Sequence, residues 1–140
     1  MWCNDFIKIP FAELGRSREG ADCWGLVRIV YEEMLGLNLP SYLDYSDTKD
    51  AEAISGMISD QTVKKWKFIE PGDERPYDCA VFKMAGIPMH VGVVVESGMM
   101  IHCERGCGTY VTYYNKEKQW HRRLEGFFRY ADNSNLPPPV

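Results

Sequence analysis

Gly20-Ala21-Asp22-Cys23-Trp24-Gly25-Leu26-Val27 sets a cysteine at the join between a glycine-containing loop and an amphipathic helix. From Val27 onward apolar residues recur at Val30, Tyr31 and Met34, the i, i+3, i+4, i+7 spacing of a helix packing one face on a core. Asp22 suits the N-cap, which makes Cys23 the first helical residue, and Gly36 suits the C-terminal stop. Unpaired N–H groups and the positive end of the helix dipole favour a thiolate there, so Cys23 is a candidate nucleophile. The plainer alternative is a buried small hydrophobe, because free cysteines are among the most buried residues.

Working outward, 140 residues suffice for one domain with a real core and are few for two. The reading places a single domain over residues 1–132 and a proline-rich tail over 133–140, where Pro137-Pro138-Pro139 can continue neither helix nor ladder. A net charge of −4 carries no electrostatic footprint for nucleic acid or an anionic membrane. The basic run Lys64-Lys65-Trp66-Lys67 reads as a solvated strand or loop edge. No apolar stretch approaches the length of a membrane span. Asn4, Asp5 and Lys8 interrupt the first residues, so no export signal is expected and synthesis in the cytoplasm is. Five cysteines, an odd number, then read as reduced thiols. His102, Cys103 and Cys107 form the one grouping that suggests a metal, but no C-x-x-C pair supports it, and neither a metal nor another cofactor is expected.

The first half reads as helical: a short turn near the N-terminus, a loop from Gly15 to Ala21, the Cys23 helix, a break at Leu39-Pro40, and a second helix from about Thr48 to Ile58. The second half reads as strands at Cys79–Met84, Met89–Val95, Met99–Cys103, Thr109–Tyr114 and Gly126–Tyr130, separated by glycine-bearing turns. Helices followed by strands predict an α+β domain, an antiparallel sheet of about five strands covered by the early helices.

His90 and His102 fall on adjacent strands joined by a turn around Glu96-Ser97-Gly98. A one-residue slip would move one of them to the opposite face. A three-residue loop with Gly98 in the left-handed position sets His102 opposite Gly92 and on the same face as His90. Two residues of strand span roughly 6–7 Å, and Gly92 leaves room between the rings. Such a pair suits a cysteine relay: His90 takes the Cys23 proton, and His102 orients His90. The plainer reading is two hydrogen-bonded sheet histidines. His121 reads as a surface residue.

Asp22-Cys23-Trp24-Gly25-Leu26-Val27, His90-Val91-Gly92-Val93 and Ile101-His102, in that order and spacing, resemble the NlpC-type cysteine peptidases of the papain-like superfamily. The resemblance runs from Trp2 to about Tyr130, and a phage and prophage branch matches further at Ile9-Pro10-Phe11, Gly15-Arg16, Leu39-Pro40-Ser41-Tyr42, Trp120 and Gly126-Phe127-Phe128-Arg129-Tyr130. It implies a papain-like NlpC-type fold with Cys23 as nucleophile, His90 as base and His102 as the orienting third member. It implies hydrolysis of peptidoglycan stem peptides, often at the bond between γ-D-glutamate and the diamino acid. Tail proteins are the implied partners and a phage tail the implied location. Asp22 and Trp24 are the implied substrate contacts, the first toward a free amine, the second as a bulky wall where relatives carry serine. Phe6 stands where many relatives have a tyrosine that assists the oxyanion site. That departure leaves open a tail-assembly module with a vestigial site, and a thiol amidase or acyltransferase is open as well because the scaffold alone does not choose the acyl acceptor.

Overall fold

Alternating apolar positions in the second half of the chain build a six-stranded antiparallel sheet. The computed structural model describes residues 1–40, 66–84 and 86–130. Its strands are β3 (Trp66–Ile69), β4 (Cys79–Met84), β5 (Ile87–Glu96), β6 (Met99–Glu104), β7 (Gly108–Thr112) and β8 (Leu124–Tyr130), in the order β3-β8-β4-β5-β6-β7. Ahead of them lie a 3₁₀ turn (Trp2–Phe6), a two-stranded hairpin of β1 (Arg16–Ser17) and β2 (Gly20–Ala21), and helix α1 (Cys23–Val30). A four-residue turn of helix, α2 (Lys118–His121), precedes β8.

The architecture is the expected α+β one, with a sixth strand added. β3 carries Lys67 and Phe68 outward at the sheet edge, so its apolar alternation is weak in the sequence. Trp66 holds that edge by packing on Tyr130 with ring centroids 5.0 Å apart. The second helix over Thr48–Ile58, Ser41 and Tyr42, Lys64 and Lys65, and the tail at 133–140 lie outside the described residues.

Each face of the sheet has its own core. On one face α1 and the N-terminal turn cover Val91, Val93, Val95, Ile101 and Cys103. On the other, Trp120 and Tyr114 pack on Ala80, Phe82, Val94, Met100 and Phe127. α1 is more deeply buried than a one-sided amphipathic helix, with only Arg28 partly exposed. Met34, expected on the inward face, points to solvent. The chain widens into a π-helical turn over Tyr31–Leu35, and the extra residue in that turn carries the inward position on to Leu35. Gly36 then stops the helix in the left-handed conformation, φ 67°, as a C-cap. No described helix is long and apolar enough to cross a membrane.

Candidate active site

The start of α1 is built by close backbone contact. A Cβ on Gly25 would lie 2.0 Å from the Gly15 carbonyl oxygen, and one on Gly15 would lie 2.3 Å from that of Gly20. Glycine at these places lets the β1–β2 hairpin rest directly on the first helical turn. Asp22 caps the helix as expected, accepting from the Gly25 N–H at 2.7 Å. The same oxygen meets Arg16 Nη1 at 2.5 Å. Cys23 therefore occupies the first helical position, almost wholly buried.

The packing of Asp22, Trp24 and Phe6 is well defined. Asp22 is 2% exposed and its carboxylate is engaged by the cap and by Arg16, so it supports the helix start. Trp24 has no exposed surface: its indole N–H donates to the Pro40 carbonyl and its ring packs on Trp66. The residue after the first helical position turns inward here, and Trp24 belongs to the core. Phe6 is buried beside Trp2 with the Arg18 guanidinium over its ring.

The histidines meet as expected, by a different device. Ser97 and Gly98 form the turn, with Glu96 paired to Met99, and the register then shifts at Val95 so that Val93 faces Ile101. The bulge supplies the residue that a three-residue loop would have supplied. His102 accordingly stands beside Gly92, where an added Cβ would come 3.2 Å from the His102 Cβ and 2.6 Å from Met100 Sδ. His90 Nε2 and His102 Nδ1 are 2.7 Å apart, and His102 Nε2 lies 2.7 Å from Thr112 Oγ1. Trp120 shields both imidazoles, with ring centroids 5.1 Å from His90 and 4.9 Å from His102. Burial lowers the pKa of His90 to about 4. Burial lowers that of His102 as well, and the neighbouring His90 adds to the effect. Both rings are neutral at pH 7, which makes His90 available as a proton acceptor.

A cavity of about 290 Å³ opens beside this pair, lined by Phe11, Met84, His90, Cys103, Glu104, Arg105 and Trp120. Cys23 and His90 belong to different core layers: Cys23 lies on the α1 side, and His90 packs on Phe82 and Trp120. The two layers meet at the cavity. Cys103 lines it and its thiol donates to the Ala21 carbonyl at 3.1 Å, two residues before Cys23. Phe11, on the same wall, bridges to Ala21. Cys103 and His102 leave β6 on opposite faces, and Cys107 is exposed in the following turn. Among the described residues no group of three or more His, Cys, Asp or Glu side chains is placed to hold a metal ion.

Nothing in the sequence alone marks Thr112, Tyr110, Glu104 or Arg105 as neighbours of the histidine pair, and Trp120 stands out only through the resemblance. The alternation of Tyr110 and Thr112 along β7 was the available signal, but it identifies neighbours of His102 only once the β6–β7 register is known.

A cysteine at a capped helix start packed on an antiparallel sheet that carries a paired histidine defines a papain-like arrangement. The profile of the NlpC/P60 family matches residues 9–129, and the chain belongs to that family. It is 29% identical over 133 residues to a gamma-DL-glutamyl hydrolase of Bacillus subtilis, a match covering 94% of this chain and 28% of that protein. The chain thus spans under a third of the length of that relative. Among solved structures, the NlpC/p60 domain of the peptidoglycan hydrolase SagA superposes with a TM-score of 0.60 at 20% identity, covering 91% of each chain. An NlpC/P60 family protein from Bacillus cereus does so with a TM-score of 0.66 at 17% identity, over 91% of this chain and 37% of that one. These likenesses show the fold.

Proposed function

We propose that this protein is a cysteine endopeptidase that hydrolyses γ-glutamyl peptide bonds in bacterial peptidoglycan stem peptides, with Cys23 as nucleophile, His90 as base and His102 as its orienting partner. The 2.7 Å contact between two buried neutral imidazoles at a cavity beside the Cys23 helix start carries the reading. Family membership and the likeness to the gamma-DL-glutamyl hydrolase support the bond type.

In this mechanism His90 Nδ1 takes the thiol proton as sulfur attacks the scissile carbonyl. The backbone N–H of Cys23, at the positive end of α1, steadies the developing oxyanion. The C–N bond breaks, and the proton held by His90 leaves with the amine. Water then gives a proton to His90 and hydroxide to the thioester carbonyl, releasing the acid and the restored thiol. His102 holds the far nitrogen of His90 throughout.

Incubating intact peptidoglycan with wild type and Cys23→Ala, with fragments read by mass spectrometry, tests the proposal. Stem-peptide fragments from wild type alone are expected. No fragments from wild type would overturn the activity, and fragments from Cys23→Ala would overturn the nucleophile. We further propose that the enzyme works in a phage or prophage tail, supported by Ile9-Pro10-Phe11, Gly15-Arg16, Trp120 and the closing Gly126-Phe127-Phe128-Arg129-Tyr130. Its presence in purified tail particles checks this, and its absence from them overturns it.

A further inference from the structure

The turn from β6 to β7 is short. Glu104 faces Gly108 at the end of the ladder, and the Cys107 N–H donates to the Glu104 carbonyl at 3.0 Å. This closure sets Glu104 and Arg105 side by side at the cavity that His90 lines. The other walls there are chiefly apolar: Phe11, Met84 and Trp120. Among the described residues lining the cavity, Glu104 and Arg105 are the charged ones, one of each sign.

Both charges are held loosely enough to serve a ligand. Tyr110 donates to Glu104 Oε1 at 2.7 Å, which steadies the carboxylate by one oxygen. The Arg105 guanidinium lies over the Phe11 ring, 5.0 Å from its centroid, and its ion pair with Glu13 is 3.4 Å long. That pair is exposed on both sides, at 69% and 56%. An exposed pair is worth little, so a ligand carboxylate can compete with Glu13 for Arg105. An apolar cavity ending in adjacent opposite charges fits a hydrocarbon chain that ends in both an ammonium and a carboxylate.

The chemistry of the proposed reaction says which side of the substrate enters. His90 passes its proton to the leaving amine, so a cavity at His90 takes the residue on the amine side of the bond. We propose that this cavity binds the side chain of the diamino acid, with Glu104 taking its ammonium and Arg105 its carboxylate, and so selects meso-diaminopimelate over lysine. The proposal rests on the reading of the protein as a γ-glutamyl peptidase with His90 as base. Both side chains carry an ammonium on a run of methylenes, and diaminopimelate alone adds a carboxylate. Arg105 is therefore the specificity-determining residue, and Glu104 serves either substrate.

The test uses the full chain and two tetrapeptides of L-alanine, γ-linked D-glutamate, a diamino acid and D-alanine. The diamino acid is meso-diaminopimelate in one and L-lysine in the other. Wild type should show a kcat/KM about tenfold higher for the diaminopimelate peptide, the low end of what a hydrogen bond to a charged group supplies. Arg105→Gln should erase that preference by slowing the diaminopimelate peptide alone, and Glu104→Gln should slow both. Lys8→Gln removes an equal charge from the adjoining cavity across Phe11 and should keep the preference. Equal rates for the two peptides in wild type would overturn the selection and leave the peptidase reading standing. So would a preference that survives Arg105→Gln or falls equally in Lys8→Gln. Binding of both peptides to Cys23→Ala, followed by NMR of the labelled chain, reads the same preference without turnover. If wild type cleaves neither peptide, the activity fails. The selection fails with it unless Cys23→Ala binds the diaminopimelate peptide more tightly and adding Arg105→Gln removes the difference.

Discussion

Replacing Gly25 with alanine sets two effects of opposite sign against each other at the start of the nucleophile helix. Helix propensity alone favours alanine over glycine in a helix interior by about 1 kcal/mol. At this site the new Cβ would lie 2.0 Å from the Gly15 carbonyl oxygen, a backbone atom, and 3.1 Å from Asp22 Oδ1. Relief requires the hairpin and the helix to separate by an ångström or so. Gly15 has little room to retreat, because it is itself packed on the backbone of Gly20. Separation also pulls apart the Asp22 N–H and Gly15 carbonyl, already 3.4 Å apart, and disturbs the Asp22 cap and its Arg16 contact. Overpacking costs about 1–3 kcal/mol and a lost cap about 1 kcal/mol. Sterics win, for a net destabilisation of about 2 kcal/mol and a Tm lower by roughly 6–10 °C in a domain of this size. Urea unfolding of wild type and Gly25→Ala side by side measures it. A variant as stable as wild type, or more stable, would refute the argument that close hairpin contact builds the Cys23 position.

Two further outcomes follow from buried charge. His90 has its pKa lowered to about 4 by burial, so between that value and the ordinary 6.5 the unfolded chain binds a proton that the native state excludes. Its contribution is therefore complete above pH 6.5 and is lost on acidification, by roughly 2 kcal/mol at pH 5; urea midpoints at pH 7.5 and pH 5 should fall further for wild type than for His90→Gln. Asp78 has no exposed surface, accepts from Arg129 Nε and Nη2 at 2.8 Å each, and takes the Arg75 N–H at 2.8 Å. Asp78→Asn leaves the Arg129 guanidinium without its counter-charge and should cost about 3–5 kcal/mol by denaturant titration.

The parts of this molecule legible in the sequence are those set by local chemistry. Cys79–Met84 carries its strand pattern with the structure's own boundaries, Asp22 is a cap by residue type and position, and Gly36 is a stop because it must adopt a positive φ. Features that depend on distant partners were hidden. β3 is held at its edge by Trp66 against Tyr130, a contact between residues far apart in the chain. The burial of Trp24 depends on Trp66 and the Pro40 carbonyl, which no helical pattern reveals. The π-helical turn that rotates Met34 outward likewise leaves no mark in a 3.6-residue periodicity.

The histidine pair lies between these cases, and it shows what a register argument can and cannot deliver. Face sharing between His90 and His102 follows from parity, so any device that inserts one residue between them and the turn gives the same answer. The structure uses the Val95 bulge where a longer loop was expected, and the rings meet all the same. Parity says nothing about β7, however. The turn through Gly106 and Gly108, both at positive φ, sets which β7 residue faces His102. With Tyr110 opposite, Thr112 lies on the same face within reach of His102 Nε2 and Glu104 within reach of the Tyr110 hydroxyl. A slip of one residue would turn Tyr110 and Thr112 to the other face and leave His102 Nε2 buried without its partner, a loss of about 1–3 kcal/mol. The contact between His102 and Thr112 therefore also favours the register that brings the two together.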